Sequence, residues 1–163
     1  MPRGLLPVLA LALAACATPY QPRGLLGGYA DTQLGENVFR VSFTGNGDTS
    51  VERAEDFALL RSAEVALEHG FTHFIVIAEK DQSQYVTHTE PTRSVSRETS
   101  TQSGDTTRTR TTTNTSGGQT SVVRQPGTVN TIACFRGKPD LPGIVFDAQF
   151  VVNSLTQKYE IVR

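Results

Sequence analysis

A long tract of hydroxyl side chains limits how much of this chain can fold around a core. More than half of the residues from Thr87 to Ser121 are Ser or Thr, and large aliphatic side chains are almost absent there. A tract with so little apolar area to bury cannot offset the entropy lost on ordering. The sequence therefore predicts a solvent-exposed insertion at 87–121, in the form of a long hairpin arm that is frayed or disordered at its tip, with a turn at 114–118.

The beginning of the chain has the pattern of an export signal. A positively charged start at Arg3 precedes an apolar run from Leu5 to Ala15, which only Pro7 interrupts. The run is too short for a transmembrane helix, which needs about 20 apolar residues. It has the length of the hydrophobic region of a signal peptide. Residues 1–15 are therefore predicted to direct export and to be removed.

The cysteine that follows this run is the predicted attachment point for lipid. The sequence Leu13-Ala14-Ala15-Cys16 resembles the lipobox of bacterial lipoproteins, although an ordinary secretory signal with a chance cysteine is the alternative. The resemblance implies that the Cys16 thiol takes a diacylglycerol and that cleavage frees its amine for a further acyl chain. Because each buried methylene contributes about 0.8 kcal/mol, several acyl chains would anchor the protein almost irreversibly.

The residues after the cysteine indicate location and flexibility. In the lipoproteins that this region resembles, Asp directly after the lipidated cysteine favours retention in the inner membrane. Ala17 therefore implies the outer membrane of a Gram-negative bacterium, on its periplasmic face. Prolines and glycines are frequent over 16–28, and such a composition predicts a flexible tether after the lipidated Cys16. They are Pro19, Pro22, Gly24, Gly27 and Gly28.

The first half of the remaining sequence predicts two strands, a helix and a third strand. The two strands lie within 29–44, where apolar and polar side chains alternate. The helix begins at a cap formed by Thr49, in a capping box, or by Ser50, and it ends at His69-Gly70. The strand Thr72–Ala78 carries apolar residues on both faces. It is therefore predicted to be central and covered.

The second half adds a strand and a helix. Thr128–Arg136 alternates as a strand does, which makes Cys134 a small buried side chain in a sheet. Asp147 is placed to cap a helix over Ala148–Tyr159, although an edge strand is the rival interpretation. Gln84–Thr87 is a candidate for one additional strand. The buried edge of the last helix would be formed by Phe150, Val151, Leu155 and Tyr159.

These elements predict one α+β domain made of residues 29–86 and 122–163. The order β-β-α-β-(β)-β-α favours a mostly antiparallel sheet with two helices on one face. The formal net charge is −1 and the chain has no Trp, so the sequence lacks the basic face expected of a nucleic-acid-binding protein. If Cys16 is lipidated, Cys134 has no partner for a disulfide in this chain.

One segment resembles the signature of a family of small, uncharacterised proteobacterial lipoproteins. The segment is Gly45–Glu64, GNGDTSVERAEDFALLRSAE, and it is followed by Gly70-Phe71-Thr72-His73-Phe74 as in that family. The resemblance covers roughly 28–79 and extends to 128–159. It implies a lipoprotein and its fold, but it carries no activity and no catalytic residues.

No arrangement of reactive side chains predicts a specific chemistry. His69, His73 and His88 are the only histidines, and no CxxC or HExxH spacing supports a metal site with Cys134. The sequence also has no GxSxG turn that would mark a nucleophilic serine. We therefore expect no cofactor and no catalytic residue.

Two functional hypotheses remain open. The first is a non-catalytic binding or structural lipoprotein of the cell envelope, held to membrane lipid by Cys16, with an envelope protein or a glycan as partner. The second is a periplasmic metal-binding or thiol-dependent enzyme that uses His73, His88 and Cys134. Arg61 on the predicted helix either pairs with Glu64 or holds the preceding Gly-Asn-Gly loop.

Overall fold

The described part of the chain, residues 16–162, forms two units in this computed structural model. One unit contains the residues up to Gln84 together with those from Arg124 onward, and the other contains Tyr85–Val123. The predicted signal peptide, 1–15, lies outside the described residues. In chain order the elements are β1 (Gly28–Gln33), β2 (Val38–Thr44), α1 (Val51–Glu68), β3 (His73–Asp81), β4 (Gln84–Thr89), β5 (Arg93–Ser103), β6 (Thr106–Ser116), β7 (Thr120–Gln125), β8 (Gly127–Phe135), β9 (Phe146–Asp147) and α2 (Ala148–Lys158).

The first unit is an α+β fold, as the sequence predicted. Its five-stranded sheet has the order β1-β2-β8-β3-β9, and every pairing in it is antiparallel. The strands β2 and β8 set Phe39 opposite Ile132, so that both side chains point to the same face. The same core cluster contains buried residues of α1 and α2. Both helices therefore cover one face of the sheet.

The helix termini follow from local chemistry. Ser50, rather than Thr49, caps α1, since its hydroxyl accepts a 3.1 Å hydrogen bond from the amide of Arg53. Gly70 has φ +77° after the last turn, as predicted. Asp147 accepts a 2.9 Å hydrogen bond from the amide of Phe150 and caps α2. The helical interpretation of this segment is confirmed, and the edge-strand interpretation is wrong.

Two predicted burial patterns are wrong. Phe150 is 70 % exposed, because α2 turns Val151 and Val152 toward the core instead. In β3 only Phe74 is buried, and Ile77 is 53 % exposed. The register of β3 against β8 shifts next to Ile77, and β9 is too short to cover the rest of the strand. The part of β3 beyond Phe74 therefore has no β9 residue beside it, and its side chains are more exposed.

The second unit is built from paired strands without a core. β5 and β6 form one antiparallel hairpin, and β4 and β7 form another two-stranded sheet. Every residue of β5 and β6 is exposed. The hairpin turns between Ser103 and Thr106, so the turn predicted at 114–118 is not the tip of this hairpin. Side-chain hydroxyls pair across it, as in Ser96 with Thr113 at 2.9 Å.

Candidate membrane-anchor site

The cysteine predicted to carry lipid lies at the surface of the first unit. Cys16 is exposed, and its thiol forms no disulfide. Its backbone carbonyl accepts a 2.6 Å hydrogen bond from the side-chain amide Nδ2 of Asn46. The thiol is therefore accessible, while the backbone that carries it is attached to the loop between β2 and α1.

The buried residue Thr18 attaches the same segment to the fold through hydrogen bonds. Its side chain is 1 % exposed, and its amide donates a 3.0 Å hydrogen bond to the hydroxyl of Thr49. The hydroxyl of Thr18 accepts a 2.9 Å hydrogen bond from the amide of Asn46 and donates one of 2.9 Å to the carbonyl of Leu26. A buried polar group costs little free energy only when it is paired in this way. Thr18 is therefore a fixed point two residues after Cys16.

The segment after Thr18 is also packed against the fold. The ring of Tyr20 lies 4.8 Å from that of Tyr29 and 5.3 Å from that of Phe57, measured between centroids. The Tyr20 hydroxyl donates to the carboxylate of Glu64, and burial together with this carboxylate raises the pKa of Tyr20. The prediction of a flexible tether is wrong from Thr18 onward, because aromatic packing and buried hydrogen bonds hold the segment in place.

The loop that forms hydrogen bonds with Thr18 is Gly45–Thr49, at the beginning of the segment Gly45–Glu64. The Oδ1 atom of Asn46 accepts hydrogen bonds from the amide of Asp48 at 3.2 Å and from the hydroxyl of Thr49 at 2.8 Å. A Cβ atom on Gly45 would lie only 2.5 Å from the Cβ of Thr49, so the loop needs glycine there. The sequence predicts a turn here, but it does not predict the hydrogen bonds between this loop and Thr18. The Asn-Gly-Asp pattern predicts a turn but does not indicate what the turn binds.

A tight turn with two exposed leucines lies beside this loop. Gly24 and Gly27 exchange backbone hydrogen bonds of 3.0 Å and 3.2 Å, which places Leu25 and Leu26 at the tip. Leu25 is fully exposed and Leu26 is 70 % exposed. Leu26 and Asn46 border one shallow cleft. The leucine pair therefore lies at the same end of the unit as Cys16.

Arg61 links β1 to α1 away from this loop. Its Nε donates to Asp31 at 2.9 Å, and its Nη1 donates to Glu68 at 2.7 Å and to Glu64 at 3.2 Å. The guanidinium also lies over the ring of Tyr29, 4.9 Å from its centroid. The predicted pairing with Glu64 is confirmed. The interpretation that Arg61 holds the Gly-Asn-Gly loop is wrong.

Two residues of the alternative enzyme hypothesis, His73 and Cys134, do not form a thiol–imidazole pair. Cys134 is 1 % exposed in β8, as predicted, and burial raises the pKa of its thiol to about 11. His73 lies opposite Phe135, the residue after Cys134, so His73 and Cys134 project from opposite faces of the sheet. His88 is an exposed residue of β4, in the second unit. Cys134 is therefore a packing residue with a neutral thiol.

A groove of about 600 Å³ opens between α1, β3 and the residues before β9. Its apolar lining includes the exposed side chains of Ile77 and Ile144. Asn130 also borders it, and its Oδ1 atom is buried without a hydrogen-bond partner in the described part of the chain. The acidic residues on its border are Glu55, Asp56 and Glu79.

Comparison of the chain with protein-family models, with curated proteins and with solved structures found no match. Within residues 16–162, no helix is both long enough and apolar enough to cross a membrane. The same residues contain no group of three or more His, Cys, Asp and Glu side chains arranged to hold a metal ion.

Proposed function

We propose that this protein is a periplasmic lipoprotein that acyl chains on Cys16 hold to the outer membrane. The observation that carries the proposal is that the exposed Cys16 lies two residues before Thr18, the first buried residue of the described part of the chain. Two residues span at most about 7 Å. The folded unit therefore lies directly against the bilayer surface instead of hanging from a long linker.

The anchoring cysteine can be tested against the second cysteine of the same chain. The full chain and its Cys16→Ser and Cys134→Ser variants are expressed in a Gram-negative host that is fed radiolabelled palmitate. We expect label and membrane partitioning in the unaltered chain and in Cys134→Ser, and the loss of both in Cys16→Ser. Equal labelling of Cys16→Ser would contradict the proposal.

The choice of membrane depends on the residue after the cysteine. Ala17 is half-buried. We propose that Ala17→Asp moves the protein from the outer to the inner membrane, while Ala17→Ser leaves it in the outer membrane. Separation of the two membranes on a density gradient measures the shift. An unchanged distribution for Ala17→Asp would contradict outer-membrane sorting by this position.

We further propose that the anchored unit is a non-catalytic binding or structural module of the envelope. The groove beside β3 supports this role, since it is concave and two exposed aliphatic side chains, Ile77 and Ile144, line it, as is typical of a binding site. A photo-crosslinking residue at position 77 should give a discrete adduct with one envelope component. The matched control is position 150 on α2, where Phe150 is 70 % exposed outside the groove. The same adducts at both positions would contradict a specific partner.

A further inference from the structure

We propose that the turn Gly24–Gly27 inserts Leu25 and Leu26 into the membrane that holds the acyl chains of Cys16. This inference rests on the proposed lipid anchor and adds a second point of contact with the same bilayer. A single point of attachment leaves the unit free to rotate about Cys16. A second point would fix its orientation toward the membrane.

The turn presents its two leucines rigidly. The paired backbone hydrogen bonds between Gly24 and Gly27 close it, and the amide of Arg23 donates a further hydrogen bond of 2.7 Å to the carbonyl of Tyr29. Gly27 has φ +91°, and a Cβ atom there would lie 2.3 Å from the carbonyl oxygen of Thr44. The backbone therefore cannot turn the leucines inward without breaking these contacts. Exposed aliphatic side chains on a fixed turn favour an apolar environment.

The turn and Cys16 are held by the same residues. Thr18 donates to the carbonyl of Leu26 at 2.9 Å and accepts from the amide of Asn46 at 2.9 Å. Asn46 in turn donates to the carbonyl of Cys16 at 2.6 Å. Three hydrogen bonds in series thus connect Cys16, the proposed lipid attachment point, to the leucine turn. Because of these links, a bilayer that contains the acyl chains of Cys16 lies within reach of Leu25 and Leu26.

The charge of this segment suits a lipid surface. Between Cys16 and Ala30 the sequence has no Asp or Glu, and Arg23 is its one charged side chain. The Arg23 guanidinium is exposed and donates to the hydroxyls of Ser42 at 3.1 Å and Thr44 at 3.0 Å. A guanidinium has five donors, so several remain for phosphate oxygens of lipid headgroups. Apolar side chains flanked by one arginine are typical of a segment that lies in the membrane interface.

A tryptophan introduced into the turn tests the insertion, since the chain contains no Trp of its own. The full chain with Leu26→Trp is expressed in a Gram-negative host, purified with its lipid, and reconstituted into phosphatidylethanolamine–phosphatidylglycerol vesicles. A second sample uses vesicles with brominated acyl chains, which quench only tryptophan within the bilayer. Leu25→Trp provides a second position in the turn, and Phe150→Trp on α2 is the matched exposed control. Circular dichroism and the mass of each purified protein establish folding and acylation.

We expect blue-shifted emission and loss of emission in brominated vesicles for Leu26→Trp and Leu25→Trp, and neither for Phe150→Trp. Acylated turn variants that are not quenched would overturn the insertion and leave the anchor in place. Turn variants that are unquenched in vesicles but shielded in whole envelopes would indicate a protein partner, which also overturns the insertion. Absence of acylation would overturn the proposed function and the inference together.

Discussion

The buried amide of Thr18 donates a 3.0 Å hydrogen bond to the hydroxyl of Thr49, which lies 31 residues further along the chain. The Thr49 hydroxyl donates to the side-chain oxygen Oδ1 of Asn46. The backbone amide of Asn46 donates to the hydroxyl of Thr18. This closed set of hydrogen bonds joins the segment after Cys16 to the loop before α1. Residues 16–18 are therefore part of the folded unit.

Removal of the Thr18 hydroxyl should destabilise the first unit. Thr18→Val keeps the shape of the side chain but leaves the amide of Asn46 and the carbonyl of Leu26 without their partner. An unpaired buried group costs about 1–3 kcal/mol, and these two groups are partly buried, so we expect a loss of about 1 kcal/mol in the free energy of unfolding. Chemical denaturation measures it, with Thr32→Val on the exposed side of β1 as control. Equal stability of Thr18→Val and Thr32→Val would show that the Thr18 hydroxyl does not stabilise the fold.

Replacement of Asn130 should stabilise the protein. Asn130 is 5 % exposed opposite Val41, and its Oδ1 atom has no partner among the described residues. Asn130→Val removes this unpaired atom and sets two valines side by side across β2 and β8. We expect a gain of about 1 kcal/mol in the free energy of unfolding, and a smaller gain for Asn130→Thr, which keeps a polar group. A loss of stability in Asn130→Val would contradict the account of this side chain.

Cys134 should make stability depend on alkaline pH. Burial raises its pKa in the folded state from 9.0 to about 11, so the fold favours the protonated thiol. Its contribution is fully present below about pH 9 and is lost as the pH rises through about 11. The free energy of unfolding should therefore fall more steeply over this range in the unaltered chain than in Cys134→Ala. The pKa of the half-buried Tyr20 is raised as well, but its effect cancels in the comparison of the two proteins. Parallel curves would contradict the assigned burial of Cys134.

The second unit should be cleaved before the first. Its hairpin β5–β6 has no buried residue, and exposed cross-strand hydroxyl pairs such as Ser94 with Thr115 at 3.1 Å contribute little in water. Limited trypsin digestion of the folded protein should cut first after Arg97, Arg108 or Arg110. Mass spectrometry of the early fragments identifies the sites. First cleavage within β2, after Arg40, would contradict this order of stability.

Local chemistry explains what the sequence predicted correctly. The cap at Asp147, Gly70 after α1 and the alternation in β2 each depend on residues within a few positions of one another. The α+β order follows from these elements. Burial of Cys134 follows from the alternation in β8, whose even-numbered positions face the helices.

The features that the sequence did not predict depend on contacts between residues far apart in the chain. The composition of 16–28 predicts flexibility, yet the partner of Thr18 is Thr49, and no local pattern indicates that pairing. Ile77 is exposed because β9 is only two residues long, and the apolar pattern of β3 carries no information about its neighbour. The sequence therefore predicts lipid attachment at Cys16, which stays a prediction, but it does not indicate the loop before α1 or the leucine turn that lie beside Cys16.

The mass of one peptide tests the central claim most directly. Complete trypsin digestion of the denatured protein, purified from membranes of a Gram-negative host, should release residues 16–23, because Arg23 is the first basic residue after Cys16. The account predicts that this peptide begins at Cys16 and carries diacylglycerol and an amide-linked acyl chain. An unmodified peptide 16–23, or a peptide that extends from Gly4 through Cys16 to Arg23, would contradict it.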